Sequence, residues 1–245
     1  MIRADAFKQN LEKVQFKIVE AARAARRDPA EITLVVVTKG HPVDVVRDII
    51  EAGAGILGES YAEEGAAKRE MLDKQMGNVS DVKWHMIGHI QSRKAGLVAD
   101  HFDFVHSLDS LKLARRLDRL AAVKGKKLPV LLQVNVSGEE SKYGWATTKE
   151  KDILTLEADI EQIFALPNLK ISGLMSIPPI ADQPEDARPY FARTRHLRDR
   201  FAERFPSQNW KHLSMGMSND FEAAILEGAT LVRVGSAIVG PRPTT

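Results

Sequence analysis

Lys39 is the residue best placed to do covalent chemistry. It ends the run Ile32-Thr33-Leu34-Val35-Val36-Val37-Thr38, which is apolar or β-branched throughout, and Gly40-His41-Pro42 follows it. Such a run reads as a strand buried on both faces. An ammonium at the end of a buried strand is destabilised unless it is paired, so its pKa falls and the neutral amine becomes accessible. That amine can attack a carbonyl and hold an aldehyde cofactor as a Schiff base. The plainer alternative is a solvated lysine at a strand end. Two later segments have the composition of phosphate sites. Ser214-Met215-Gly216-Met217-Ser218-Asn219-Asp220 opens a helix with small and hydroxyl residues, and Gly235-Ser236 follows a strand. Backbone N–H groups at such places attract anions, although capping and a tight turn would also use these residues. Arg233 lies in the apolar run Leu231-Val232-Arg233-Val234, where a buried guanidinium needs an acceptor. That acceptor is either a structural ion-pair partner or a cofactor ring nitrogen. In the second role a permanent cation keeps a pyridine nitrogen unprotonated and weakens the ring as an electron sink. Mild chemistry, or none, would follow.

These groups are far apart in sequence, so the elements between them must bring them together. Apolar periodicity predicts a helix over 2–26, with Phe7, Leu11, Val14, Ile18 and Val19 on one face. Strands are predicted at 32–39, 56–60, 83–88, 102–107, 128–136, 169–175, 210–213 and 230–234. Helices are predicted between them at 43–52, 61–73, 91–99, 110–123, from 147 or 148 to 166, 185–205 and 219–227, with Asp109 capping the one that starts at 110. Gly77-Asn78 breaks the pattern before the third strand. Eight β/α units behind an extra N-terminal helix, with no linker-like stretch, imply a single (β/α)8 TIM-type barrel over residues 1–245. Active sites of such barrels lie at the C-terminal strand ends, and phosphate sites often use the loops after strands seven and eight. The residues there are Lys39, Glu59-Ser60, His85 with Gly88, His106-Ser107, Asn135, Met175-Ser176, Ser214 with Gly216, and Arg233 with Gly235-Ser236.

Composition removes several classes of function. With no cysteine in 245 residues, disulfides, thiolate catalysis and cysteine-based metal sites are excluded. A net charge of +2 is too balanced to argue for nucleic acid. Met1 to Asp5 leads into no signal-peptide apolar region, and no apolar run reaches membrane-spanning length. The expectation is a cytoplasmic protein without a membrane partner. His85, His89 and His106 lack metal-ligand spacing and read as hydrogen-bonded strand-end histidines.

Taken in order, the motifs resemble a known family. They are Val37-Thr38-Lys39, Gly58-Glu59-Ser60-Tyr61, Trp84-His85-Met86-Ile87-Gly88 with Gln91-Ser92-Arg93-Lys94, and Gln133-Val134-Asn135-Val136 with Lys142-Tyr143-Gly144. Gly173-Leu174-Met175-Ser176-Ile177-Pro178, Leu213-Ser214-Met215-Gly216-Met217-Ser218 and Val232-Arg233-Val234-Gly235 complete the set. Over essentially its whole length the chain resembles the pyridoxal phosphate homeostasis proteins, also called the proline synthetase co-transcribed homologue family. The resemblance implies an alanine-racemase-like barrel with pyridoxal 5′-phosphate (PLP) on Lys39, phosphate contacts from the two late loops, and Arg233 near the pyridine nitrogen. The expected cofactor-binding set is Lys39 as the Schiff base, with Ser60, Asn135, Met175, Ser214, Met215, Gly216, Arg233, Gly235 and Ser236. No catalytic residue and no metal ligand are expected. The chain departs from the family pattern at Ser60 (usually Asn), His89 (usually Pro or similar) and Arg93 (usually Asn).

Two readings of that site differ in kind. In one the chain is a regulator that buffers PLP, acts as a monomer and passes the cofactor to PLP-dependent apoenzymes. In the other it is an amino-acid racemase or related enzyme, which needs a base on each face of its substrate. Related racemases draw one base from a further C-terminal domain and the partner subunit. This chain ends shortly after its eighth predicted strand, which favours the regulator. Of its three tyrosines, Tyr61 and Tyr143 follow strand ends and remain candidates for such a base. A barrel binding a sugar phosphate without a covalent bond is the third alternative.

Overall fold

In the computed structural model, which describes residues 2–77, 81–180 and 182–242, the β/α alternation closes on itself. The chain begins with helix α1 (Ile2–Ala24), followed by β1 (Thr33–Val37), α2 (Val43–Glu51), β2 (Ile56–Glu59) and α3 (Ala62–Met76). Next come β3 (Lys83–Met86), α4 (Ala95–His101), β4 (Phe104–Leu108), α5 (Leu111–Val123), β5 (Leu128–Asn135), β6 (Trp145–Ala146) and α6 (Glu150–Phe164). The last elements are β7 (Leu169–Met175), α7 (Arg188–Arg204), β8 (His212–Ser214), α8 (Phe221–Leu226), β9 (Leu231–Val234) and α9 (Ser236–Val239). Among the described residues the strand order is β4-β3-β2-β1-β9-β8-β7-β5-β6, and β4 also pairs with β5. Eight parallel strands therefore form a closed barrel, with the two-residue β6 added beside β5. Closure leaves the barrel without an open edge.

The expected (β/α)8 architecture is present, and its deviations have local causes. β6 escapes prediction because two residues carry no period. The helix expected over 91–99 is a 3₁₀ turn, Ser92–Lys94, leading into α4. Phe102, expected as the start of a strand, caps α4 and is fully buried. Ser110 caps α5 by accepting from the Leu113 N–H, which corrects the assignment of that cap to Asp109. Asp109 instead pairs with His89 at 2.7 Å. Gly77 follows α3 with φ +73, and Asn78 lies outside the described residues.

Strand parity separates two kinds of core. Val36, Leu57, Val130, Leu132, Leu174, Val232 and Val234 point outward and pack with the helices. Val35, Leu131, Met175 and Leu231 point inward and form a dry layer with Ile56 and Phe104. α1 buries Phe7, Leu11, Val14 and Ile18 against α2, α8 and α9. Each such apolar side chain contributes about 1.5–3 kcal/mol by leaving water. The Arg27 guanidinium donates to the Ile225 and Ala229 carbonyls at 3.1 and 2.8 Å, and Asn10 donates to Ile238. The first helix thus straddles the seam where β9 pairs with β1, with Val35 opposite Arg233 and Val36 opposite Val234.

Candidate functional site

At the end of β1 the backbone turns, with His41 N–H donating to Thr38 O and Gly40 at φ +75. This left-handed turn lifts Lys39 into the barrel mouth, where it is half-buried. Among the described residues its Nζ has no hydrogen-bond or ion-pair partner. Burial and the charges of Arg242 and Arg233 push its pKa below the ordinary lysine value, against the weaker opposing pull of Glu59 and Glu64. The amine predicted from sequence is therefore both free and easier to deprotonate than a surface lysine.

The residues on either side of Lys39 are held from below. Lys68 on α3, 5% exposed, donates to Thr38 O, Glu59 Oε1 and Glu64 Oε1 at 2.8, 2.8 and 2.6 Å. Thr38 Oγ1 donates to the same Glu59 oxygen at 2.7 Å, and Gly40 N–H donates to Glu64 at 2.6 Å. Thr38 and Gly40 are thus bonded to one buried ion cluster, which leaves the Lys39 turn little freedom. Glu59 Oε2 has no partner among the described residues. Sequence reading missed this brace. Its traces are a lysine four residues after Glu64 on one helix face and a glutamate at the end of an apolar strand.

Arg233 points inward from β9 and is 4% exposed. Its NH1 donates to Ser214 Oγ at 2.7 Å and its NH2 to Ser176 O at 3.0 Å. Burial lowers its pKa to about 10, so the guanidinium stays charged at neutral pH. Behind Ser214, His106 Nδ1 lies 2.8 Å from the hydroxyl, and His106 Nε2 lies 3.0 Å from His85 Nδ1. These ring nitrogens are taken up by neutral partners, as expected of hydrogen-bonded strand-end histidines. Burial holds the His85 pKa at about 4 and the His106 pKa well below the usual value.

A pH dependence follows from those two imidazoles. In the unfolded chain they accept protons near pH 6.5; in the folded barrel His85 does so only near 4. The unfolded state therefore binds more protons across that window, and stability falls as pH drops from about 6.5 to 4. His85 alone accounts for about 3 kcal/mol of this loss by pH 4, and His106 adds in the same direction. Urea unfolding between pH 7 and 4 is expected to show a falling midpoint. A flat midpoint would mean that the imidazoles charge freely in the folded state.

A cavity of about 740 Å³ opens at the C-terminal end of the barrel. Lys39, Ser60, Arg233, Gly235 and Ser236 from the expected set line it, with Met217, Ser218, Asn219 and Asp220 from the loop after β8. The two late loops touch: Ser218 Oγ accepts from Gly235 N–H at 3.2 Å. Met217 N–H donates to Asp220 Oδ1 at 2.6 Å, which shapes the turn into α8. Glycine is required where the walls press together. A Cβ on Gly88 would lie 2.2 Å from Ser60 O, and one on Gly216, at φ +91, would lie 2.6 Å from the Ala224 Cβ.

The other expected residues do not line the cavity. Met175 belongs to the dry inward layer below it, and Met215 packs outward with the helices. Ser214 Oγ accepts from Arg233 NH1, and Gly216 O accepts from Arg233 N–H at 3.0 Å. Asn135 spends its amide on its own loop, accepting from Gly138 N–H and donating to Glu139 O, and lines a separate 140 Å³ cavity. His41 and Arg242, which line the main cavity, were not singled out by sequence. His89 is stacked on Tyr143 with ring centroids 3.7 Å apart.

Comparison with known proteins sets this geometry in context. The alanine racemase N-terminal domain family matches residues 2–243. The pyridoxal phosphate homeostasis protein of Pseudomonas aeruginosa is 43% identical, over 96% of this chain and 95% of that one. The protein of the same name from Vibrio cholerae is 38% identical, over 97% of each chain. The structure of PipY from Synechococcus elongatus with PLP bound is 34% identical, with a TM-score of 0.77 over 91% of this chain and all of that one. An alanine racemase of Clostridium difficile shares the fold at 16% identity, with a TM-score of 0.69, and this chain spans 58% of its length.

Proposed function

The chain belongs to the pyridoxal phosphate homeostasis protein family, and from that membership and the cavity just described we propose that it binds PLP covalently on Lys39. The observation that carries this reading is the half-buried amine without a partner, in one cavity with a charged guanidinium and two glycine- and serine-rich loops. The residues fit the cofactor. Its aldehyde would be met by Lys39, its ring nitrogen by Arg233, and its phosphate by Ser218, Ser236 and the amides about Gly235. Ser60 would flank it from β2. When bound, the cofactor supplies an electron-withdrawing ring and an aldehyde that condenses with amines, releasing water.

The chain's own groups favour holding over turnover. Arg233 stays charged and faces the ring position as a donor, so the ring nitrogen would remain unprotonated and the ring a weak electron sink. Among the described residues, none of Tyr61, Tyr143 and Tyr190 lines the cavity, and the imidazole that does, His41, rises from the same turn as Lys39. Racemisation needs a base on each face of its substrate, and among the described residues that line the cavity no tyrosine offers one. We further propose that the loaded chain acts as a cytoplasmic monomer that releases PLP to apoenzymes. Light scattering tests the monomer, and recovery of activity by an added PLP-dependent apoenzyme tests the release.

Borohydride reduction of the protein equilibrated with PLP, followed by peptide mapping, tests the covalent assignment. The reduced adduct is expected on the peptide carrying Lys39. No gain in mass, or an adduct on another lysine, would overturn it.

A further inference from the structure

The cavity does not account for the polar line behind Arg233. It runs from Arg233 NH1 to Ser214 Oγ at 2.7 Å, from there to His106 Nδ1 at 2.8 Å, and from His106 Nε2 to His85 Nδ1 at 3.0 Å. The four residues come from β9, β8, β4 and β3, so the line crosses the barrel interior. His106 and Ser214 are 0% exposed and His85 is 6% exposed. No carboxylate stands in it. The guanidinium is bonded to two neutral oxygens, Ser214 Oγ and Ser176 O.

Donor counting gives the line a direction. Arginine only donates, so Ser214 Oγ must accept from Arg233. If His106 Nδ1–H also donated to that oxygen, the Ser214 hydroxyl hydrogen would have no acceptor among the described residues, a costly state for a buried group. If Ser214 donates to His106 Nδ1, both the hydrogen and the oxygen of its hydroxyl are used. A neutral imidazole accepting at Nδ1 carries its proton on Nε2 and donates it to His85 Nδ1. Each X–H then points away from Arg233 and each lone pair points back toward it.

Given the PLP reading above, we infer that His106 is a positioning residue for the cofactor: it turns the Ser214 hydroxyl so that its lone pair faces Arg233 and fixes the guanidinium toward the ring nitrogen. The chain of aligned dipoles stabilises a buried cation that has no bonded counter-ion among the described residues, since hydrogen bonds in a low-dielectric interior reinforce one another. It also leaves the remaining Arg233 N–H groups aimed at the cavity.

The first test needs no cofactor. In ¹⁵N-histidine-labelled protein at neutral pH, His106 is expected to be protonated at Nε2 and bare at Nδ1. The opposite tautomer would overturn the inference, whatever becomes of PLP binding. The second test compares His106→Leu with His106→Gln, whose side-chain oxygen can still accept from Ser214. In the leucine variant PLP is expected to bind about tenfold more weakly, the size of one lost bond to a charged group, with its absorbance band displaced. The glutamine variant is expected to recover both. A leucine variant with the wild-type band and affinity would overturn the inference. If that variant does not fold, Ser214→Ala breaks the same line at its other end and is held to the same two readouts. A wild-type protein that takes up no PLP defeats the binding proposal instead and leaves the tautomer test to decide this one.

Discussion

Lys39→Ala is expected to give a folded protein that, mixed with PLP, develops no visible band and gains no mass on borohydride treatment. The effect on binding is all-or-none because one amine makes the bond. The effect on stability is small because Nζ has no hydrogen-bond partner among the described residues. Removing it leaves no buried group unsatisfied, so the change should stay within about 0.5 kcal/mol. Arg242 and Arg233 disfavour a third positive charge beside them, so any shift should be toward greater stability. The serines and amides proposed to meet the phosphate are untouched, and weak non-covalent binding should remain, detectable as protection against thermal unfolding at high PLP. A band that survives in the alanine protein would place the aldehyde on another lysine.

Lys68→Met has the largest expected effect on stability. Its ammonium is the hub of the cluster that binds Glu59, Glu64 and Thr38 O, and Glu59 is 0% exposed. Methionine fills the space but leaves a carboxylate in the interior with the Thr38 hydroxyl as its remaining bonded partner. Breaking a buried pair from one side costs about 3–5 kcal/mol, whereas replacing both partners costs far less. The double variant Lys68→Met/Glu59→Gln should therefore be more stable than Lys68→Met alone, with a coupling of about 1–3 kcal/mol, measured by urea denaturation. The same cluster holds Thr38 and Gly40, so the single variant should also bind PLP more weakly. Strictly additive losses would mean that the two side chains do not share the cluster.

How much of this was legible in the sequence depends on how local each signal is. The apolar run to Lys39, the Pro- and Gly-marked helix ends and the β/α alternation are short-range patterns, and each strand of the barrel was found within a few residues of its place. The two late loops were legible because their glycines and serines sit next to strand ends. Met175 and Met215 show what was not. Both stand at strand ends, but being in the right place along a strand does not say which way a side chain turns or how deep it sits. Asn135 was equally ambiguous, since an amide at a strand end serves its own loop as readily as a ligand. The Lys68 brace joins α3 to two strands, and the line from Arg233 to His85 joins four. Links of that kind depend on register across the sheet, which no local window contains.

The first helix rests on the last turns of the chain, and Asn10 bonds to Ile238, 228 positions away. During synthesis α1 leaves the ribosome early, with α2 as an early neighbour, but the α8 and α9 part of its docking surface is made much later. Part of its apolar stripe of Phe7, Leu11, Val14 and Ile18 stays wet until those helices form, a condition that invites chaperone engagement. The same late strand brings Arg233 opposite β1. A nascent chain therefore carries its reactive amine long before it has a place to keep a ligand, and competence arrives only as the final strand inserts.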